Sequence, residues 1–176
     1  MAELLSRIEW KNVALLAAAL ALVAVYAKLF AVVLLIAGVV FVSFIVQQFS
    51  LRTVGLELVT FATVVSGIVY GPVVGAALGA VLVLIHLVFS GYFGVYYFWV
   101  IPVYAFGGFL ASAWSGQGVV SLGINITLVI HAINMAFTFA LNRNNMFNYG
   151  LYAVTNVVFN FILFVVFGQA VVGILK

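Results

Sequence analysis

The chain has 176 residues, of which 68% are hydrophobic and only 5% are charged. A soluble domain is about 45–50% apolar and about 25% charged, so this chain has too few polar residues to cover a surface in water. Its net charge of +3 comes from six basic and three acidic residues, too few for a nucleic-acid-binding patch. Without cysteine it can form neither disulfides nor thiolate metal sites. The composition indicates an integral membrane protein, and no cleavable signal is evident.

Long apolar runs predict an all-α, polytopic transmembrane helix bundle of six or seven helices, because a helix needs about 20 apolar residues to cross the bilayer and barrel strands would alternate. We place seven spans in one transmembrane domain, with a minimal turn at Lys28. A single helix over residues 12–47 would be about 54 Å long, too long for one crossing. The spans cover residues 12–27, 29–47, 54–70, 72–90, 98–114, 119–141 and 151–175.

The distribution of basic residues predicts the orientation. With the amino terminus in the cytoplasm, four basic residues face inward and two face outward, as the positive-inside rule favours. The inner four are Arg7, Lys11, Arg52 and Arg143, and the outer two are Lys28 and Lys176.

Two faces of small residues predict close helix contacts. Gly71, Gly75 and Gly79 recur at spacing four, and ordinary packing accounts for them. The first span carries an alanine face suited to docking another helix, from this chain or from a partner subunit. It consists of Ala14, Ala17, Ala18, Ala21 and Ala24.

Glu57 is the one acidic residue placed inside a predicted span. An ionisable group at membrane depth is expensive and points to a functional site. Glu57 is also close enough to the span end to reach the interface and pair with Arg52. The sequence leaves both interpretations open.

Polar residues form stripes on the last two spans. Thr127, His131, Asn134 and Thr138 follow one another at intervals of four, three and four, and the last span carries Tyr149, Tyr152, Asn156 and Asn160 on one face. The stripes could line a small-molecule pocket or hydrogen-bond to each other. Because interhelical hydrogen bonds average only about 0.6 kcal/mol in membranes, we favour the pocket.

Catalysis has little support in the sequence, so we expect no enzyme and no cofactor. It offers no phosphate-binding loop, kinase motif or zinc-protease motif, and a single intramembrane carboxylate cannot form an acidic pair. His86 is expected to be a hydrogen-bonded packing residue. A metal site would need His86, His131 and Glu57 together, and we expect none.

The segment from Gly55 to Ala111 resembles the substrate-binding S components of energy-coupling factor (ECF) vitamin transporters. The similar motifs are Gly55-Leu-Glu-Leu-Val-Thr, the Tyr-Gly-Pro-x-x-Gly-x-x-x-Gly pattern ending at Gly79, and Gly107-Gly108-Phe-Leu-Ala111. The Ala-x-x-x-Ala spacing of Ala14/Ala18 and Ala17/Ala21 also matches that family. The family has six spans and a cytoplasmic Gly-Pro turn, whereas our count gives seven spans and an external turn.

The resemblance implies a binder of a vitamin or similar micronutrient in a prokaryotic cell membrane. Its partners would be a transmembrane coupling subunit, which docks on the alanine face, and cytoplasmic ATPases. The implied ligand-binding residues are Glu57, His131, Asn134, Tyr152 and Asn156. The alternative functions are a structural or accessory subunit without its own ligand and, with less support, a channel or membrane enzyme.

Overall fold

The computed structural model describes residues 9–91 and 94–176, with every side chain except those of residues 23–25 and 28. All regular structure in these residues is helical, which confirms the predicted all-α class. A 3-10 turn, Arg143–Asn145, precedes α6, and a π-helical segment, Phe164–Gly168, joins α6 to α7. The helices are α1 (Trp10–Gln48), α2 (Val59–Tyr70), α3 (Pro72–Phe89), α4 (Tyr97–Ala113), α5 (Val119–Leu141), α6 (Met146–Leu163) and α7 (Gln169–Leu175).

Four helical segments are long and apolar enough to cross a membrane. They are Leu29–Gln48, Pro72–Phe89, Val119–Leu141 and Arg143–Leu175. Large apolar side chains lie on the outside of the molecule, with Phe98 84% exposed and Val73 80% exposed. Lipid is the solvent that favours such a surface, so the chain is a membrane protein.

The helix bounds differ from the sequence prediction at three places. A turn was predicted at Lys28, but α1 continues through it, because the sequence has neither Gly nor Pro between Trp10 and Ala37 to end a helix. Helix α2 begins only at Val59, later than the predicted residue 54, since Thr53 to Leu58 form a non-helical connection. The last helical run begins earlier than predicted, at Met146.

The chain divides into two compact units, Met1–Leu34 and Leu35–Lys176. In the first unit, every described side chain from residue 9 to 22 is exposed. The second unit is a helix bundle in which α3 packs against α2 and α4, α4 against α5, and α5 against α6. The carboxyl-terminal half of α1 also belongs to this unit and buries Val39, Ser43 and Val46.

Helix α2 is the centre of the second unit. All its residues from Val59 to Gly67 are buried, and α3, α4, α5 and α6 all contact it. Its Thr60, Thr63 and Ser66 side chains are thereby kept away from lipid. Its position places the residues just before it, including Glu57, in the interior.

Glycines allow α2, α3 and α4 to approach to backbone contact. A Cβ atom on Gly75 would lie 2.6 Å from the Gly67 Cα atom and 2.7 Å from the Gly108 carbonyl oxygen. A Cβ atom on Gly79 would lie 2.4 Å from the Tyr104 carbonyl oxygen. At the turn before α3, Gly71 has a φ of 87°, which L side chains rarely adopt. Gly71 therefore allows the turn before α3, and Gly75 and Gly79 allow α3 to pack closely against α2 and α4.

Replacing Gly75 by Ala should destabilise the bundle, because the new methyl group would meet backbone atoms that cannot move aside. We expect a loss of about 1–3 kcal/mol, measured as a lower thermal unfolding midpoint of the purified protein. Gly150→Ala is the matched control, since no atom lies within 4 Å of its Cβ position. Alanine is the better helix former, so this control should keep or raise the midpoint. Equal midpoints for both variants would contradict the packing argument.

Candidate ligand-binding site

A cavity of about 280 Å³ lies in the second unit, between the α1–α2 connection and helices α3 to α6. A cavity of about 150 Å³ can hold benzene, so this one has room for a molecule of about two rings. Its lining residues come from every one of those elements: Arg52, Thr53, Val83, His86, Leu87, Tyr96, Trp99, Val100, Tyr104, His131, Asn134, Thr138, Asn145, Asn148, Tyr149 and Tyr152.

The cavity is lined by exposed residues at its mouth and by buried residues at its floor. Arg52, Thr53 and Asn148 are exposed and form a polar mouth. His86, Trp99, Tyr104, His131 and Asn134 are buried and form the floor, and none is more than 6% exposed. The site is thus concave, aromatic and polar at a few points, as small-molecule sites usually are.

The structure separates the five predicted ligand-binding residues into two groups. His131, Asn134 and Tyr152 line the cavity. Glu57 and Asn156 are fully buried and do not line it. They lie behind His131 in a hydrogen-bonded network, and their part in ligand binding stays a prediction.

The Glu57 carboxylate accepts hydrogen bonds from two elements. The Thr60 backbone N–H donates to Oε2 over 2.9 Å, and the Thr60 hydroxyl donates to Oε1 over 2.6 Å. The side-chain amides of Asn156 and Asn160 donate to Oε1 over 3.0 and 3.4 Å. Both carboxylate oxygens of Glu57 are thus occupied by hydrogen-bond donors of the protein. Glu57 therefore meets its partners in the interior, and Arg52 is not among them.

The Asn156 side chain connects the carboxylate to the cavity floor. Its amide group donates to the Gly55 carbonyl over 2.9 Å as well as to Glu57. Both amide protons are thereby used, so its Oδ1 atom is the acceptor facing His131 Nε2 at 2.7 Å. His131 must carry a proton on Nε2, because only a donor can pair with that oxygen.

The second ring nitrogen of His131, Nδ1, faces the tyrosines of α6 that line the cavity. Its Nδ1 atom lies 2.9 Å from the Tyr149 hydroxyl, which donates to it when the ring is neutral. The ring centroids of Tyr149 and Tyr152 lie 6.1 Å apart, each 6.0 Å from the His131 centroid. Both nitrogens of His131 are thus occupied, and its ring is held in one orientation.

The two polar stripes face inward as the sequence predicted. Thr127, His131, Asn134 and Thr138 on α5 are buried, as are Asn156 and Asn160 on α6. Thr127 and Thr138 donate to carbonyl oxygens one turn earlier in their own helix. The stripes both connect the two helices and line a pocket. His131 and Asn156 hydrogen-bond across from α5 to α6, whereas Asn134, Thr138, Tyr149 and Tyr152 face the cavity.

His86, another residue of the cavity floor, pairs with α1. Its Nδ1 atom is 2.8 Å from the Ser43 hydroxyl. Within residues 9–91 and 94–176, no three His, Cys, Asp or Glu residues come together in a way that could hold a metal ion.

Sequence reasoning missed most of the aromatic lining. Tyr96, Trp99 and Tyr104 on and before α4 contribute to the cavity, and Tyr96 packs edge-on against Trp99 at 5.8 Å. The available signal was the aromatic run Tyr96-Tyr97-Phe98-Trp99 at the start of the predicted span 98–114. Arg52 was considered for topology and as a partner of Glu57, whereas the structure places it at the cavity mouth.

The predicted partner-docking residues lie in the first unit. Ala14, Ala17, Ala18 and Ala21 are all exposed on α1. The side chain of Ala24 lies outside the described residues, and so does Arg7 of the charge count. Docking at this face stays a prediction.

Comparison with known proteins gives no relative. No protein-family model, no curated protein and no solved structure matches this chain.

Replacing Glu57 by Gln should destabilise the protein, because the Gln amide would turn an N–H group toward one of the donors that now face the carboxylate. Hydrogen bonds to charged groups contribute about 1.5–3 kcal/mol each, so we expect a loss of at least about 2 kcal/mol in a thermal or denaturant unfolding measurement. Glu9→Gln is the control, since the Glu9 carboxylate is exposed and accepts from Asn12. A Glu57→Gln protein as stable as the control would show that the network contributes nothing.

Proposed function

We propose that this protein is the membrane-embedded substrate-binding subunit of a micronutrient or vitamin uptake transporter of the ECF type. The observation that carries the proposal is the cavity of about 280 Å³ between membrane helices, with a buried polar floor and an exposed mouth. A scaffold helix bundle gains nothing from an unfilled polar cavity, because its buried polar atoms then lack partners.

The order of the helices supports a topology of six crossings in place of the seven predicted. Arg52, Tyr96 and Asn145 line one cavity, so the connections that carry them share one end of the bundle. Gly71 and the turn after α4 then lie at the opposite end, since each connected helix reverses direction. The proposed crossings are the four long apolar segments, Leu29–Gln48, α3, α5 and the run from α6 to α7, together with the two shorter apolar helices α2 and α4. Six is the number in the S-component family.

The basic residues support a cavity that opens to the outside. Arg7, Lys11 and Lys28 precede the first crossing in sequence, and Lys176 follows the last, whereas Arg52 and Arg143 lie in the connections at the mouth end. Counted along the sequence alone, four basic residues then fall on the cytoplasmic side of the proposed crossings and two on the external side, which follows the positive-inside rule. The Gly71-Pro72 turn becomes cytoplasmic, as in the family. The membrane is the prokaryotic cell membrane in which such transporters act.

Active uptake by this chain would need a separate motor, because its sequence has no phosphate-binding loop. The proposed partners are a transmembrane coupling subunit and cytoplasmic ATPases. The exposed alanine face of α1 supplies a smooth surface on which a helix of the coupling subunit could pack closely.

Ligand binding is testable by thermal stabilisation across a panel of vitamins and related metabolites. A ligand of the cavity should raise the unfolding midpoint with a saturable dose response, by about 2.7 kcal/mol at 100 times its Kd. Asn134→Leu should abolish the stabilisation, since it replaces a polar group of the floor with an apolar one. The matched control is Asn125→Leu, because Asn125 lies exposed on the same helix and bonds Gln117.

Two outcomes would contradict the binding proposal. One is the absence of stabilisation by any compound of the panel. The other is a stabilisation that Asn134→Leu and Asn125→Leu reduce equally, which would place the ligand outside the cavity.

The exposed alanine face also favours the alternative of an accessory subunit that has a partner but no ligand. Ala17→Leu should break a stable complex with a partner, because a leucine there keeps the two helices apart. Ala19→Leu is the matched control, since Ala19 is equally exposed and lies on the opposite side of α1 at about 100° per residue. Co-purification of the tagged chain from its native membrane measures the effect. A complex that survives Ala17→Leu would remove the alanine face from both proposals.

A further inference from the structure

One buried acceptor of the cavity floor has no partner in the described part of the protein. The Asn134 Oδ1 atom is buried without a hydrogen bond among residues 9–91 and 94–176. Asn134 lines the cavity and is only 3% exposed. A buried acceptor is costly to leave unpaired. Because no described protein atom supplies the partner of Asn134 Oδ1, the partner must come from whatever occupies the cavity.

A second buried atom of the lining has the opposite polarity. Trp99 Nε1 is a hydrogen-bond donor, it also lacks a partner in the described ranges, and Trp99 lines the same cavity. The Trp99 ring stacks on Phe137, which follows Asn134 by about one helical turn, with the ring centroids 5.9 Å apart. This donor and this acceptor do not bond each other, so both are left for contacts with an occupant.

A chain of hydrogen bonds from Glu57 reaches the Tyr149 hydroxyl. The Asn156 amide donates to Glu57 Oε1 over 3.0 Å, and Asn156 Oδ1 accepts from His131 Nε2 over 2.7 Å. In the neutral ring, His131 Nδ1 is then the acceptor, and it takes the proton of the Tyr149 hydroxyl over 2.9 Å. Each donor in this chain is determined by the one before it.

The last hydrogen bond of the chain fixes the orientation of the Asn134 amide. The Tyr149 hydroxyl gives its proton to His131, so toward the Asn134 side chain, to which it is also hydrogen-bonded, it can only accept. The amide N–H group of Asn134 is therefore the end that bonds Tyr149, and the amide oxygen is the end left without a partner. The acceptor character of the floor thus follows from a chain that begins at Glu57.

We propose that Asn134 Oδ1 selects the substrate by accepting a hydrogen bond from an N–H or O–H group of the substrate ring. The cavity walls include the stacked rings of Tyr149 and Tyr152, whose centroids lie 6.1 Å apart, and planar rings pack well on such surfaces. The substrate class is a planar compound of one or two rings with a hydrogen-bond donor at its buried end. This inference rests on the proposed substrate-binding function and specifies the substrate class of the same site.

The test compares indole with benzofuran, two planar two-ring compounds of nearly the same shape. Indole has an N–H donor where benzofuran has an oxygen atom that cannot donate. Their affinities for the purified full chain are measured by calorimetry, with the detergent solution titrated alone as a blank. We expect indole to bind at least about fivefold more tightly, because benzofuran would leave Asn134 Oδ1 unpaired.

Two variants connect this preference to the floor. Asn134→Leu should remove it, because an apolar floor rewards neither compound for a donor. Asn125→Leu is the matched control and should keep the full preference, since Asn125 is exposed on the same helix and bonds Gln117. Tyr149→Phe keeps the aromatic wall but frees the Asn134 amide to turn its N–H group toward the cavity. The preference should then fall at least about twofold, and this variant also tests the floor if Asn134→Leu fails to fold.

The outcomes separate this inference from the function on which it rests. Equal affinities of the unaltered protein for indole and benzofuran, or no binding of either, would overturn the selection by Asn134. A preference that Asn134→Leu and Asn125→Leu reduce equally would do the same, and one that Tyr149→Phe leaves unchanged would overturn the role of the chain from Glu57. The substrate-binding function survives each of these results if a compound of the vitamin panel stabilises the protein and Asn134→Leu abolishes that effect. If neither the panel nor the probes bind, the function fails as well.

Discussion

The buried carboxylate of Glu57 is the interaction on which this bundle depends. In a membrane, water cannot solvate the charge, so protein donors must do so. The carboxylate receives donors from the first turn of α2 and from two asparagines of α6, and it lies just before the most deeply buried helix of the protein. The same connection is bonded to α6 through both backbone groups of Gly55. One charge therefore fixes the α1–α2 connection, the start of α2 and the register of α6 together.

This arrangement also determines the form of the cavity floor. The donors that Asn156 gives to Glu57 and Gly55 fix the orientation of its amide, and the remaining oxygen fixes the tautomer of His131. His131 in turn meets the Tyr149 hydroxyl, a group of the cavity wall. Glu57 thus acts on the cavity through two intervening side chains. A floor supported in this way is held in place before a ligand arrives, which lowers the ordering cost of binding.

The features that could be predicted from the sequence are those that result from lipid, in place of water, surrounding the apolar helices. Sparse polar residues in apolar helices must turn inward, and Thr127, His131, Asn134 and Asn156 do so. The sequence could not predict that Glu57 and Asn156 lie behind the cavity whereas Tyr96, Trp99 and Arg52 line it, because spacing along one helix contains no information on the distance between helices. It also predicted a turn at Lys28 from the thickness of a bilayer, although no residue there ends a helix and α1 continues through it.

Several buried side-chain atoms have no hydrogen-bond partner among the described residues, and two of them, Asn134 Oδ1 and Trp99 Nε1, belong to the cavity floor. The side chains of Glu57 and His131 are both hydrogen-bonded to Asn156, whereas Asn134 Oδ1 and Trp99 Nε1 have no partner among the described residues and belong to the cavity lining. At a cavity with an exposed mouth, a ligand can supply the missing hydrogen-bond partners of such atoms. The polar pattern of the floor therefore describes the ligand, because each unpaired atom of the protein implies a complementary atom in the molecule that binds there.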